Sequence, residues 1–89
     1  MADLTLIIVA PDGERTNLSC DSIRLRVKQN AKEQDGGWVG IRQGHVDALM
    51  AVAQGPILAF QNGQEVGRFE TGGGFASVKD NVVTVMIQK

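Results

Sequence analysis

The chain contains one histidine, His45, and one cysteine, Cys20, and these side chains are the ones best suited to nucleophilic, acid–base or metal chemistry. His45 is close in sequence to Asp47, but no nucleophile stands in a recognisable motif with the pair. Cys20 falls in the middle of a predicted strand, where burial would raise the pKa of its thiol and keep it unreactive. A structural zinc site needs three or four ligands, which one histidine and one cysteine separated by a hairpin do not supply. The sequence therefore predicts no catalytic residue, no metal ligand and no cofactor.

Residues 72–74 are three consecutive glycines, a feature also found in phosphate-binding loops. A P-loop additionally needs a lysine and a hydroxyl residue at the start of a helix. Here the glycines are followed by Phe-Ala-Ser-Val, which continues as a predicted strand. We expect these glycines to form a bend or a bulge at a corner of a sandwich.

Length and charge limit the classes of function. The chain has 89 residues, which we interpret as one domain over residues 1–89. Nine basic and ten acidic residues leave a formal net charge of -1, so there is no general attraction to nucleic acid or to an anionic membrane. The single cysteine favours a reducing compartment, and no apolar stretch has the length of a membrane span. We expect a soluble, cytoplasmic domain that recognises partners through a local surface.

Eleven glycines, two prolines and many short Val/Ile/Leu runs predict an all-β fold. We expect a jelly-roll-like, two-sheet β-sandwich of about ten short strands. The dipeptide Asn62-Gly63 favours a type I′ turn between two strands, because both residues tolerate positive φ. Asp80-Asn81 repeats this arrangement. The strands predicted with these turns cover residues 4–10, 22–28, 57–61, 65–70, 75–79 and 82–88.

Apolar and basic residues alternate over residues 22–28, as in a half-buried strand. The apolar face holds Ile23, Leu25 and Val27, and the basic face holds Arg24, Arg26 and Lys28. We interpret the basic stripe as a solvated face, with docking of an acidic partner as the alternative. The polar residues 29–37 then form the exposed tip of a long hairpin.

Two further segments are less specific. Residues 48–53 fit helical spacing and strand spacing equally well, so the pattern leaves both structures open. The segment from Gly37 to His45 is interpreted as a glycine-bounded turn that brings a tryptophan, an arginine and a histidine together. Tryptophan beside arginine is typical of an interface anchor, although Trp38 at the end of a sandwich also fits a role in closing the core.

Three motifs, taken in order, resemble the N-terminal β-sandwich domain of the epsilon subunit of F-type ATP synthases. Val9-Ala10-Pro11, followed by Cys20-Asp21-Ser22-Ile23, is similar to the family's Val-x-Pro and Val-Asp-Ser-Val. The segment from Gly37 to Asp47, Gly-Trp-Val-Gly-Ile-Arg-Gln-Gly-His-Val-Asp, resembles the hallmark turn Gly-x-Phe-Gly-Val-Leu-Pro-Gly-His-Ala-Pro. The run Gly-Gly-Gly-Phe-Ala-Ser-Val at residues 72–78, with Asn-Val-Val-Thr-Val at 81–85, resembles the family's last hairpin.

The sequence also departs from the family pattern. Arg42-Gln43 replaces Leu-Pro and Val46-Asp47 replaces Ala-Pro, and the His-Val-Asp form resembles the alternate, Na⁺-linked branch of these ATPases. The hairpin before the turn is longer by roughly seven residues, an insertion that surface loops tolerate. The family usually continues into a two-helix C-terminal domain, which acts as a brake on rotation and binds ATP in some members. The sequence stops at Lys89, directly after its last strand, which fits either a naturally short protein or a piece of a longer one.

The resemblance implies a function without catalysis. In this family the sandwich pairs with the gamma subunit and lies on the ring of c subunits at the membrane, as a peripheral part of the complex on its cytoplasmic face. It implies that residues 48–53 form a strand and that Trp38, Arg42, Gln43, Gly44 and His45 contact partners. A free-standing β-sandwich that binds a small ligand or a peptide with the hairpin around residues 24–28 is the alternative.

Overall fold

The structure is a computed structural model that describes residues 4–27, 37–44 and 47–88. The described residues form nine β-strands, close to the expected number, and the all-β class is confirmed. The strands are β1 (Leu4–Val9), β2 (Arg15–Cys20), β3 (Ser22–Val27), β4 (Gly37–Arg42), β5 (Ala48–Val52), β6 (Gly55–Gln61), β7 (Gln64–Thr71), β8 (Gly74–Lys79) and β9 (Val82–Ile87). This part of the chain contains no helix with the length and apolar character needed to cross a membrane.

The strands make two layers that are joined at one side. Sheet I has the strand order β2-β1-β9-β8-β5, and sheet II has the order β4-β3-β6-β7. β1 and β9 run parallel, whereas β8 and β9 form an antiparallel hairpin. The sheets meet where Val27 of β3 pairs with Val52 of β5, and the Ala53 N–H donates a hydrogen bond of 2.9 Å to the Arg26 carbonyl oxygen. The predicted β-sandwich is confirmed.

The hydrophobic core lies between the two sheets, because each strand turns alternate residues inward. Sheet I contributes nine buried side chains: Leu4, Leu6, Ile8, Cys20, Val52, Ala76, Val78, Val83 and Val85. Sheet II contributes five: Ile23, Leu25, Ile41, Ile57 and Ala59. Cys20 is buried as expected, but it is the last residue of β2 and does not lie in the middle of a strand.

Both predicted two-residue turns are confirmed by the backbone. Asn62 and Gly63 have φ values of 54° and 80°, and they connect the paired residues at the ends of β6 and β7. Asp80 and Asn81 have φ values of 51° and 65° between β8 and β9. Positive φ at both central residues is the requirement of a type I′ turn, whose twist matches that of the strands.

The interpretation of the segment from Gly37 to His45 as a turn is wrong for its first six residues. These residues form β4, which pairs with β3 along its whole length. Ile41 is fully buried, and Val39 packs against the core. The turn itself contains Gln43 and Gly44. Residues 28–36, which include most of the expected hairpin tip, lie outside the described residues, and the same is true of His45.

Residues 48–52 form a strand, as the family resemblance implied. β5 pairs with β8, and Met50 and Val52 face the core at strand spacing. The glycines at 72–74 form the predicted corner, where the chain passes from sheet II to sheet I. There the Gly72 N–H donates to the Gln88 carbonyl oxygen at 2.9 Å, and the Gln88 N–H donates to the Gly73 carbonyl oxygen at 2.8 Å.

Candidate interaction surfaces

The outer face of sheet I carries large apolar side chains that are exposed to solvent. Leu49, Phe75 and Met86 expose 74%, 51% and 52% of their surface. Phe75 pairs with Met86 on one side and with Ala51 on the other, and Met86 also pairs with Val9. We call the set of Val9, Leu49, Ala51, Phe75 and Met86 the apolar face.

The apolar face is contiguous because its residues come from adjacent strands. One row of paired residues crosses the sheet in the order Val9 on β1, Met86 on β9, Phe75 on β8 and Ala51 on β5. Leu49 lies two residues from Ala51 on β5. Apolar side chains scattered singly on a surface need no explanation, whereas a contiguous group on one face is typical of an interaction site.

The outer face of sheet II has the opposite chemistry. Four of the five arginines of the chain lie on the strands of sheet II, at the alternate positions that face outward. They are Arg24, Arg26, Arg42 and Arg68. The Arg24 guanidinium carbon lies 5.8 Å from the centre of the Phe60 ring, and that of Arg26 lies 5.9 Å from the Trp38 ring. These distances are within the range of cation–π attraction.

A groove of about 660 Å³ crosses this outer face of sheet II. Its lining includes Arg24, Arg42, Trp38, Leu58 and Phe60. Its side chains are thus two guanidinium groups beside aromatic and aliphatic surface. We call this feature the arginine groove.

The turn after β4 is held against the far end of sheet I. The Gly44 N–H donates a hydrogen bond of 2.8 Å to Oδ1 of Asn81, in the turn between β8 and β9. The Asn81 carbonyl oxygen in turn accepts a bond of 3.0 Å from the Thr5 N–H. Asn81 therefore links the turn, the last hairpin and the first strand.

The structure distributes the predicted contact residues over two places. Trp38 and Arg42 both lie on the outer face of sheet II, but they are four positions apart on the strand, which corresponds to roughly 13 Å. The arginine beside Trp38 is Arg26, its cross-strand partner. Gln43 and Gly44 lie in the turn. Trp38 is half exposed on an outer face, so it does not close the core.

The described residues offer little for catalysis or metal binding. Among residues 4–27, 37–44 and 47–88, no group of three or more His, Cys, Asp or Glu side chains is placed to hold a metal ion. The Asp21 carboxylate accepts a hydrogen bond of 2.8 Å from the Asn62 N–H and so has a structural contact. The main surface features of the described residues are the apolar face and the arginine groove.

The sequence analysis did not find the apolar face. The sequence of the last strand indicates only that both of its faces are at least partly covered, because apolar residues occupy both alternating sets, with Val83 and Val85 inward and Val82 and Met86 outward. A strand that is apolar on both faces is typical of one that is covered on both sides. In this structure the second cover of β9 is missing among the described residues, which leaves Met86 exposed.

Residues 3–89 match the model of one protein family, the ATP synthase, Delta/Epsilon chain, beta-sandwich domain. The fold and the match together define the class: the chain belongs to this family. A curated relative is the ATP synthase epsilon chain of Granulibacter bethesdensis, which is 29% identical over 86 residues. The alignment covers 97% of this chain and 58% of the relative, so the chain spans somewhat more than half of that protein.

Two solved structures have a similar fold. A chain of the Euglena gracilis mitochondrial ATP synthase, described as OSCP/F1/c-ring in rotational state 1, matches with a TM-score of 0.79 and 22% identity. That match covers 100% of this chain and 52% of the other. A chain of the Tetrahymena thermophila mitochondrial ATP synthase central stalk and c-ring matches with a TM-score of 0.72 and 15% identity, over 99% and 65% of the two chains.

Proposed function

We propose that the chain is a non-catalytic rotor subunit in the central stalk of an F-type ATP synthase or ATPase. In this role it couples the gamma subunit to the c ring during ion transport linked to ATP synthesis or hydrolysis. Family membership over residues 3–89 and a relative named ATP synthase epsilon chain support the proposal. The subunit would be peripheral to the membrane, on the cytoplasmic face of the complex. The family match disfavours the alternative of a free-standing ligand-binding module.

The observation that carries the proposal is the apolar face. Permanent protein interfaces are more apolar than the rest of a protein surface, often with about 2,000 Å² or more of buried area. Leu49, Phe75 and Met86 expose half or more of their surface to water in the isolated chain. We assign this face to the gamma subunit, because a partner that stays bound would remove these side chains from water.

The other contacts of the rotor are proposed from the family motif. Gln43 and Gly44 follow β4 at the end of the sandwich where Asn81 holds the turn, and His45, the next residue of the motif, lies outside the described residues. With Trp38 and Arg42 they form the proposed partner interface. Force is transmitted through this packed surface, and no step of chemistry is assigned to the chain.

Co-expression with the gamma subunit of the same organism tests the proposal. We expect the tagged chain to retain gamma at micromolar concentration. Phe75→Ser combined with Met86→Ser should weaken retention at least tenfold, because the substitutions remove apolar area from the interface. Val66→Ser is the matched control, since Val66 is also apolar and 45% exposed but belongs to β7 of sheet II. Failure of the unmodified chain to retain gamma would contradict the proposed function.

The residues proposed from the motif need a separate variant. Trp38→Ala combined with Arg42→Ala should reduce gamma or c-ring association by about tenfold if these side chains are anchors. Both residues are exposed, so the fold should remain intact in circular dichroism. Unchanged association would remove them from the interface while leaving the assignment of the apolar face standing.

A further inference from the structure

We propose that the arginine groove binds a second partner, a protein segment that presents carboxylate and apolar side chains together. The groove lies on the outer face of sheet II, whereas the apolar face lies on the outer face of sheet I, with the core between them. The apolar face assigned to gamma and the groove can therefore be occupied at the same time, and the inference rests on the proposed function only in that Trp38 and Arg42, proposed there as rotor contacts from the family motif, also line the groove.

Charge is the first reason. Arg24 and Arg42 line the groove, and no aspartate or glutamate is among its described lining residues. Arg68 lies beside the groove through its cross-strand partner Leu58, and its Nε lies 3.6 Å from Oε2 of Glu70. The chain as a whole has a net charge of -1. This concentration of arginine is thus a local property, and it is complementary to an acidic partner.

The position of the Arg24 side chain is the second reason. Its guanidinium carbon lies 5.8 Å from the centre of the Phe60 ring. An arginine that stacks on an aromatic ring keeps the N–H groups at its edge available for a carboxylate, in the bidentate geometry that arginine favours. Because stacking already restricts the side chain, less conformational freedom is lost when the carboxylate binds.

The apolar lining explains why we expect a protein segment. Trp38, Leu58 and Phe60 supply aromatic and aliphatic surface beside the two arginines. A free anion would use only the guanidinium groups, whereas an amphipathic segment would use both kinds of surface. Nucleic acid is disfavoured by the acidic overall balance of the chain.

Gly40 keeps the groove open. It lies between Trp38 and Arg42 on β4, directly opposite Arg24 of β3. A Cβ built at Gly40 would meet no atom within 4 Å, and Gly40 is not among the glycines with positive φ. A larger side chain at this position would therefore fill the groove without straining the backbone, which provides a direct test.

The test uses the full chain and a display library of random 16-residue peptides. We expect the selected peptides to be enriched in Asp and Glu beside Leu, Ile or Phe. Synthesised peptides from the selection should change the fluorescence of Trp38, the only tryptophan of the chain, in a saturable manner. Gly40→Leu should abolish this change, and Arg24→Gln with Arg42→Gln should weaken peptide binding at least tenfold.

Three further variants make the result specific. Arg15→Gln is the matched control, because Arg15 belongs to β2 of sheet I and should leave peptide binding unchanged. Arg24→Glu should shift the selected peptides from acidic to basic. Phe75→Ser with Met86→Ser should impair gamma retention but not peptide binding, so failure of this inference and failure of the proposed function are distinguishable.

Several results would overturn the inference. One is a set of selected peptides with no enrichment in Asp or Glu. Another is peptide binding that Gly40→Leu or the arginine variants leave unchanged. A third is a change in Trp38 fluorescence with single-stranded oligonucleotide that exceeds the change with acidic peptide. Thermal unfolding of each variant confirms that the domain is folded before binding is measured.

Discussion

At the scale of single residues, Gly74 occupies a position that excludes any side chain. Its φ is +151°, and a Cβ there would collide with the backbone carbonyl of Met86 on β9. We predict that Gly74→Ala lowers the free energy of unfolding by more than about 2 kcal/mol, because either the backbone must strain or the β8–β9 pairing must move. Urea unfolding measures this change.

Gly40→Ala is the control for Gly74→Ala, since both glycines belong to strands: Gly74 is the first residue of β8, and Gly40 lies inside β4. Gly40 has open space around its Cβ position and no positive φ. The free energy of unfolding should change by less than about 1 kcal/mol. Equal losses of stability in both variants would show that the collision at Gly74 is not the cause.

Asn81 combines two contributions that variants can separate. It has a φ of 65°, and its Oδ1 accepts the 2.8 Å hydrogen bond from the Gly44 N–H. Asn81→Gly removes only the hydrogen bond and should cost about 1 kcal/mol. Asn81→Ala adds the strain of positive φ and should cost roughly 1 kcal/mol more. Thermal unfolding with equal values for the two variants would contradict this division.

Backbone conformations that depend only on the residue types of a short segment were predictable from the sequence. Asn62-Gly63 and Asp80-Asn81 adopt type I′ turns because their preference for positive φ does not depend on the rest of the chain. Gly74 could be placed at a corner for the same reason, but its contact with Met86 depends on a strand pair that residue types alone do not fix.

At the scale of elements, β4 shows where pattern and structure separate. Three glycines in residues 37–44 favour a turn when they are considered locally. In the fold, β3 supplies a complete pairing partner, and burial of Ile41 and partial burial of Val39 favour the strand. Trp38, Gly40 and Arg42 alternate with these two apolar residues, and this alternation was the sequence pattern that indicated a strand. Pairing with β3 in the fold is what stabilises the strand over the turn.

Ile41 tests the strand assignment of β4. In a strand that contributes to the core, Ile41→Ala leaves a cavity and should reduce the free energy of unfolding by about 2–4 kcal/mol. Val66→Ala, at an exposed position of β7, should cost less than about 1 kcal/mol. A small effect of Ile41→Ala in chemical denaturation would indicate that the segment is not packed as a strand.

At the scale of the whole molecule, the two outer faces of the sandwich are chemically different. Sheet I presents the apolar face, and sheet II presents the arginine groove. Alternation in a sequence shows that a strand has two faces, but it does not show which of them the other sheet covers. The class of fold was therefore predictable, whereas the apolar face became visible only when the pairing of β5, β8 and β9 was known.

The most direct test of the account is native mass spectrometry of the chain mixed with the gamma subunit of the same organism. The account predicts a one-to-one complex at micromolar concentration for the unmodified chain. It also predicts loss of most of that complex with Phe75→Ser and Met86→Ser, and retention with Val66→Ser. A chain that stays unbound beside folded gamma, or that pairs only with a second copy of itself through the apolar face, would contradict the account.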